Sequence, residues 1–171
     1  VFPAGLLSTA DVGIAVGADT ERTVRRAVEL AGGIRRFVSP GDVVVVKPNI
    51  GFNSPPAVRA TTDPVVVRTV VHLCFQALAS KVYVFDRSTT SSRLAYVTSG
   101  IARAAEEAGA KVFNVDDVNS RNYTRVTLKD AYILEETLVS RHVLESDVLN
   151  SDDTRMPVGR CTSRTPLSVT F

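Results

Sequence analysis

The chain has 171 residues, a formal net charge of +2 and an apolar content of 44%, with no tryptophan. That length suits one domain, or one domain with a tail, and is enough to bury a proper core. No apolar run approaches the roughly 18 residues of a membrane span, and the arginines are scattered rather than gathered in a stripe, so neither a membrane span nor nucleic-acid binding is expected.

In chain order, Asp11 to Val16 (DVGIAV) is expected to form a first strand. Asp19 or Thr20 is placed to cap a helix whose apolar positions Val24, Ala27, Val28 and Ala31 share one face, and Gly32-Gly33 ends it. Val43 to Lys47 reads as a second strand, and its run of valines suits a strand covered on both faces. Asp63-Pro64 opens the next helix with a favoured pair, an Asp cap and proline at the first helical position, and the helix is expected to run to about Ser80.

Lys81 to Phe85 (KVYVF) gives a third strand, and the hydroxyl-rich loop DRSTTSSR leads into a helix ending at Gly109. Lys111 to Val115 is the fourth strand, closed by Asp116-Asp117. Alternating strands and helices predict an α/β fold: an open, mainly parallel sheet with helices on both faces and a β-α-β-α-β-α-β core. After residue 120, YTRVTL and ETLVSRHVLESDVL contain strand-like pieces, read as an added hairpin or edge strands. The division expected is an α/β domain over residues 1–149 and an irregular tail over 150–171, the end of a truncated or out-of-family chain.

Ligands of open α/β sheets bind beyond the carboxyl ends of the strands. There the second strand ends in Lys47 and Asn49, the third in Asp86, Arg87 and Ser88, and the fourth in Asp116 and Asp117. Pro48 biases Lys47 toward an extended backbone that leaves the sheet at this edge. The loop from Pro48 to Thr62 is far longer than an ordinary βα connection, as lids and binding loops are. It ends at a helix N-terminus, where backbone N–H groups favour anions. Against this, Asp63 would compete for those N–H groups as a cap. Lys47 could be a solvated strand end, contributing within about 0.5 kcal/mol to folding. Asp86 serves equally as a turn residue or as a ribose, metal or proton ligand, and Asp116-Asp117 as a turn or a metal site.

No GxGxxG, GxxxxGK[ST] or GxSxG pattern is present. Cys74 and Cys161 form no metal-ligand spacing, and Cys74 reads as a small buried hydrophobe. His72 falls in line with Arg68 and Gln76 on a polar helical stripe and is expected to be exposed; His142 joins no catalytic set.

Taken together, VVVVKPN, ATTDPVVVRTVV, KVYVFDRS and YVTSGIARAAEEAGAKVFNVDD, and more loosely VLESDVL, resemble the family known as domain-of-unknown-function 362, over roughly residues 12–149. The KPN and TT-x-P elements in order, with SGI and EEAGA downstream, are specific as a set. The resemblance implies an α/β domain of bacterial or archaeal type with a ligand site around KPN and TT-x-P, and it supplies no reaction. Some members carry iron–sulfur motifs in additional segments, but those cysteine clusters are absent here and no cluster is carried over. The family's continuation with Lys, His and a Lys-Asn pair is also missing from NSDDTRMPVGRCTSRTPLSVTF.

Two functions follow. In the first, the domain binds a small anionic ligand: Lys47 supplies charge, Asn49, Thr61, Thr62 and Ser88 hydrogen bonds, and Asp86 a contact to a hydroxyl, metal or proton. In the second it is a non-catalytic redox-partner or interaction module of an iron–sulfur protein. The cofactor and oligomeric state are unknown from the sequence. The expected compartment is the cytoplasm, although a removed export signal would leave no trace.

Overall fold

The computed structural model describes residues 12–114, 123–127 and 136–140. Helix α1 spans Thr20–Leu30, and Asp19, in extended conformation, caps it by accepting the Arg22 N–H at 3.0 Å. Val24 and Val28 are its buried residues, one turn apart on one face. Strand β1 is Val43–Val46, with its last three residues buried.

Helix α2, Pro64–Gln76, is capped by Asp63 with proline in its first turn, as the sequence predicts. It ends before Ser80 because Leu78, at φ 71°, has left the helical region. Strand β2, Lys81–Val84, runs parallel to β1 in the register Val43↔Lys81 through Val46↔Val84. Where one helix ending at Gly109 is expected there are two, α3 (Ser92–Thr98) and α4 (Ile101–Glu107). The break is at Gly100, at φ 71°, where a Cβ would lie 3.4 Å from the Pro64 ring. The glycine both turns the chain and lets it approach the start of α2. Strand β3, Lys111–Val112, pairs in parallel with β2, so the sheet order is β1-β2-β3.

The α/β fold with an open parallel sheet is thus observed. Val44, Val46, Val82 and Val84 on one face join residues of all the helices, among them Val67, Val71 and Ile101, in a single core cluster. On the opposite face Val45 and Phe85 pack with Tyr83 and Phe113, whose rings are tilted with centroids 5.2 Å apart. Among the described residues, the expected helices cover the first of these faces. The strand-like pieces after residue 120 form the expected hairpin: β4 (Tyr123–Thr127) is antiparallel to β5 (Glu136–Ser140), with Tyr123 opposite Ser140.

One strand is not formed. Residues 12–17 carry no regular structure, and among the described residues the parallel sheet has three strands rather than four. Gly13 lies so close to α1 that a Cβ there would be 2.1 Å from the Ala27 carbonyl oxygen. The segment therefore runs against a helix backbone rather than beside a strand. His72 is also corrected, being half-buried rather than exposed. Asp116-Asp117, His142 and the 150–171 tail lie outside the described residues. Among those described, no helix is long and apolar enough to cross a membrane.

Candidate functional site

Parallel pairing puts the carboxyl ends of β1 and β2 side by side, since Val46 is in register with Val84. One residue beyond β1 is Lys47, and two beyond β2 is Asp86. Their side chains meet, with Lys47 Nζ 3.1 Å from Asp86 Oδ1. The partners differ in environment: the Asp86 side chain is 8% exposed and that of Lys47 31%. Asp86 is a buried anchor, and Lys47 reaches from it toward solvent.

Asp86 is held from several sides. Its Oδ2 accepts the Ile50 N–H at 2.7 Å, tying the start of the long loop to the end of β2. The Tyr96 hydroxyl donates to the Asp86 carbonyl at 2.6 Å and accepts the Asp86 N–H at 2.7 Å. One buried phenol thereby satisfies both backbone groups of a residue that has left the sheet ladder. The sequence reading missed Tyr96. Its only signal is a tyrosine among small buried residues, Ser92, Ala95 and Ser99, a placement that suits a hydroxyl with a buried partner.

The other predicted residues are drawn to the same edge, where they brace the loops. Asn49 N–H donates to Thr62 Oγ1 at 2.9 Å, and Thr62 N–H donates to the Asn49 carbonyl at 3.0 Å. Asn49 Oδ1 accepts the Gly51 N–H two residues on, an Asx turn that starts the loop. Ser88 Oγ donates to the Ile50 carbonyl at 2.6 Å, Thr89 Oγ1 to the Gly51 carbonyl at 2.7 Å, and Thr90 Oγ1 accepts the Asn53 N–H at 3.2 Å. The hydroxyl-rich run is therefore a seam joining the loops that follow β1 and β2. Farther along, Ser92 Oγ donates to Asn114 Oδ1 at the end of β3.

Two details bear on anion binding. The N-terminus of α2 is occupied by Asp63, whose carboxylate accepts the Val65 N–H at 2.8 Å while its carbonyl accepts those of Val66 and Val67. Asp63 is thus seen in its capping role. Thr61 differs from its neighbours: its Oγ1 is buried and meets no hydrogen-bond partner among the described residues.

Chemistry elsewhere is sparse. Burial pushes the Cys74 thiol up to about 12, which leaves it protonated and unreactive near neutral pH. No group of three or more His, Cys, Asp or Glu among the described residues is placed to hold a metal ion.

No curated protein and no solved structure matches the chain. A family model does, over residues 44–150, well over half of the chain and spanning β1, the braced loops and both halves of the candidate site. By that match the chain belongs to the family described as domain of unknown function (DUF362).

Proposed function

We propose that this domain binds a small anionic ligand at the carboxyl edge of its parallel sheet. The observation that carries the reading is the Lys47–Asp86 pair, a partly exposed ammonium anchored by a buried carboxylate at the ends of adjacent parallel strands. Open α/β sheets take their ligands at this position. Pairing with Asp86 fixes the ammonium in place before a ligand arrives, which lowers the ordering cost of binding.

Thr61 supports the same reading. A buried hydroxyl without a partner costs about 1–3 kcal/mol, and a ligand oxygen reaching Thr61 Oγ1 would recover that cost. In this assignment Lys47 and Thr61 contact the ligand, and Asp86 orients Lys47. Asn49, Thr62 and Ser88 hold the loops in shape.

The test is a thermal-shift screen with phosphorylated metabolites, nucleotides and small carboxylates, run in parallel on the unaltered protein and on Lys47→Met. A ligand at about a hundred times its Kd stabilises the folded state by about 2.7 kcal/mol, an easily read shift. The shift is expected to vanish in Lys47→Met. An anion that shifts both proteins equally would place its site elsewhere.

A further inference from the structure

The charges at this edge are arranged so that the inner cation is already balanced. Lys47 faces Asp86, and the N–H groups opening α2 are taken by Asp63. A ligand with a single anionic group would therefore meet little uncompensated positive charge at the strand ends. Further positive charge lies on the segments that follow the two strands. Arg59 belongs to the loop between β1 and α2; Arg87 directly follows Asp86, and Arg93 sits in the first turn of α3. All three are exposed, and among the described residues none of their guanidinium groups meets a partner.

The loops carrying these arginines are stitched together by the Ser88–Ile50, Thr89–Gly51 and Asn53–Thr90 hydrogen bonds. The Asn49 side-chain amide reaches the Ala60 carbonyl, next to Arg59. Arg59 itself is held at φ 57° and ψ 30°, a left-handed conformation that favours glycine or asparagine. A large cationic side chain kept at such a position points to a function for that side chain rather than for the turn. Between Lys47 and Thr98 the charged residues are Lys47, Arg59, Arg87 and Arg93, with Arg68 on α2 and Lys81 at the start of β2, the far end of the strand, against Asp63 and Asp86. Both carboxylates already have hydrogen-bond or ion-pair partners.

We infer that the ligand of this site carries at least two anionic groups, phosphate or carboxylate. The inner group is held at Lys47, and the outer ones are held by Arg59 and Arg87. This rests on the reading of the Lys47–Asp86 edge as a binding site and names the class of ligand that the site selects. Guanidinium groups suit the task because they bind either anion through paired N–H donors.

The experiment is isothermal titration calorimetry of the full chain at fixed ionic strength with orthophosphate, pyrophosphate, acetate and citrate. The proteins compared are the unaltered chain, Lys47→Met, Arg59→Gln, Arg87→Gln and a control, Arg22→Gln, at an exposed position on α1. Pyrophosphate or citrate is expected to bind about tenfold or more tightly than its single-anion counterpart. Which of the two is preferred tells phosphate from carboxylate. Arg59→Gln and Arg87→Gln should each weaken the multivalent ligand about fivefold or more while leaving the monovalent one within about twofold, and Arg22→Gln should change neither. Equal affinities for single and multiple anions, or arginine variants that behave like the control, would overturn the inference while leaving a Lys47-dependent site intact. If Lys47→Met binds every anion as well as the unaltered chain does, the site reading fails and the inference falls with it.

Discussion

Two of the described stretches that form neither α-helix nor strand are built in opposite ways. The loop after β1, from Lys47 to Thr62, is held by hydrogen bonds at both ends and to the loop after β2. Residues 12–17 make no hydrogen bond among the described residues, and Val12, Ile14 and Val16 are 71%, 76% and 97% exposed. In the sequence the ranking is the reverse: DVGIAV has strand composition, whereas the Pro-rich loop has the composition of a flexible lid. What fixes an irregular segment is the number of its polar groups that find partners, and β propensity contributes nothing when no strand lies alongside.

The sharpest way to break this comparison is to remove the residue on which the braced edge converges. Asp86→Ala deletes the carboxylate that Lys47 contacts and the acceptor of the buried Ile50 N–H together. An unsatisfied buried donor and the loss of a partly buried ion-pair contact should cost about 3 kcal/mol in total. Urea unfolding would show this as a lowered midpoint at unchanged slope. A loss under about 1 kcal/mol would mean the edge is not held through Asp86.

Tyr96→Phe is subtler, because it removes one oxygen and leaves the ring in the core. That oxygen satisfies both the N–H and the carbonyl of Asp86, so its loss should cost about 2 kcal/mol. Amide exchange of Asp86 should rise with it, while exchange of Val82 in the middle of β2 stays slow. Uniform loss of protection over β2 would instead mark Tyr96 as an ordinary packing residue.

Lys47→Met ranks next. From sequence, Lys47 was expected to contribute within about 0.5 kcal/mol as a solvated strand end. Its contact with a buried carboxylate revises this upward, to about 1 kcal/mol without ligand, since the pair is partly screened and Asp86 keeps its Ile50 N–H. Chemical unfolding of the unliganded protein measures it directly. No change at all would show that solvent screens the pair completely.

These sites show what was legible beforehand and what was not. Strand ends follow from apolar runs, so Lys47 and Asp86 could be placed at one edge from the valines and the helix caps alone. The family was legible too, because KPN, TT-x-P and SGI keep their order. The division of labour among the polar residues was not legible. Whether Asn49, Thr62 and Ser88 face a ligand or the neighbouring loop depends on contacts between residues 13 to 38 positions apart, and no local pattern encodes them. Tyr96 escaped for the same reason, since its target is a backbone ten residues upstream. The single helix ending at Gly109 failed locally: Gly100, a poor helix former at φ 71°, divides it.

The smallest expected effect belongs to the N-terminal segment, and there a near-zero result is the informative one. Alternation along residues 12–16 is present, but it turns Gly13 and Ala15 toward the protein and the β-branched residues outward. That orientation follows from the surface beneath: a helix backbone leaves no room for a side chain at position 13, where a Cβ would also lie 2.9 Å from the Ala31 nitrogen. The outward residues bury little apolar area, so little is lost by replacing them. The double substitution Ile14→Thr and Val16→Thr should therefore change unfolding free energy by no more than about 0.5 kcal/mol. Gly13→Ala should displace the segment from α1 and leave the core transition nearly unmoved, with any change confined to amide exchange near Ala27 and Ala31. A loss above about 1 kcal/mol from the threonine pair would mean that Ile14 and Val16 are buried in solution. The segment would then be a strand whose partner these residues do not include, and its contrast with the braced loop would disappear.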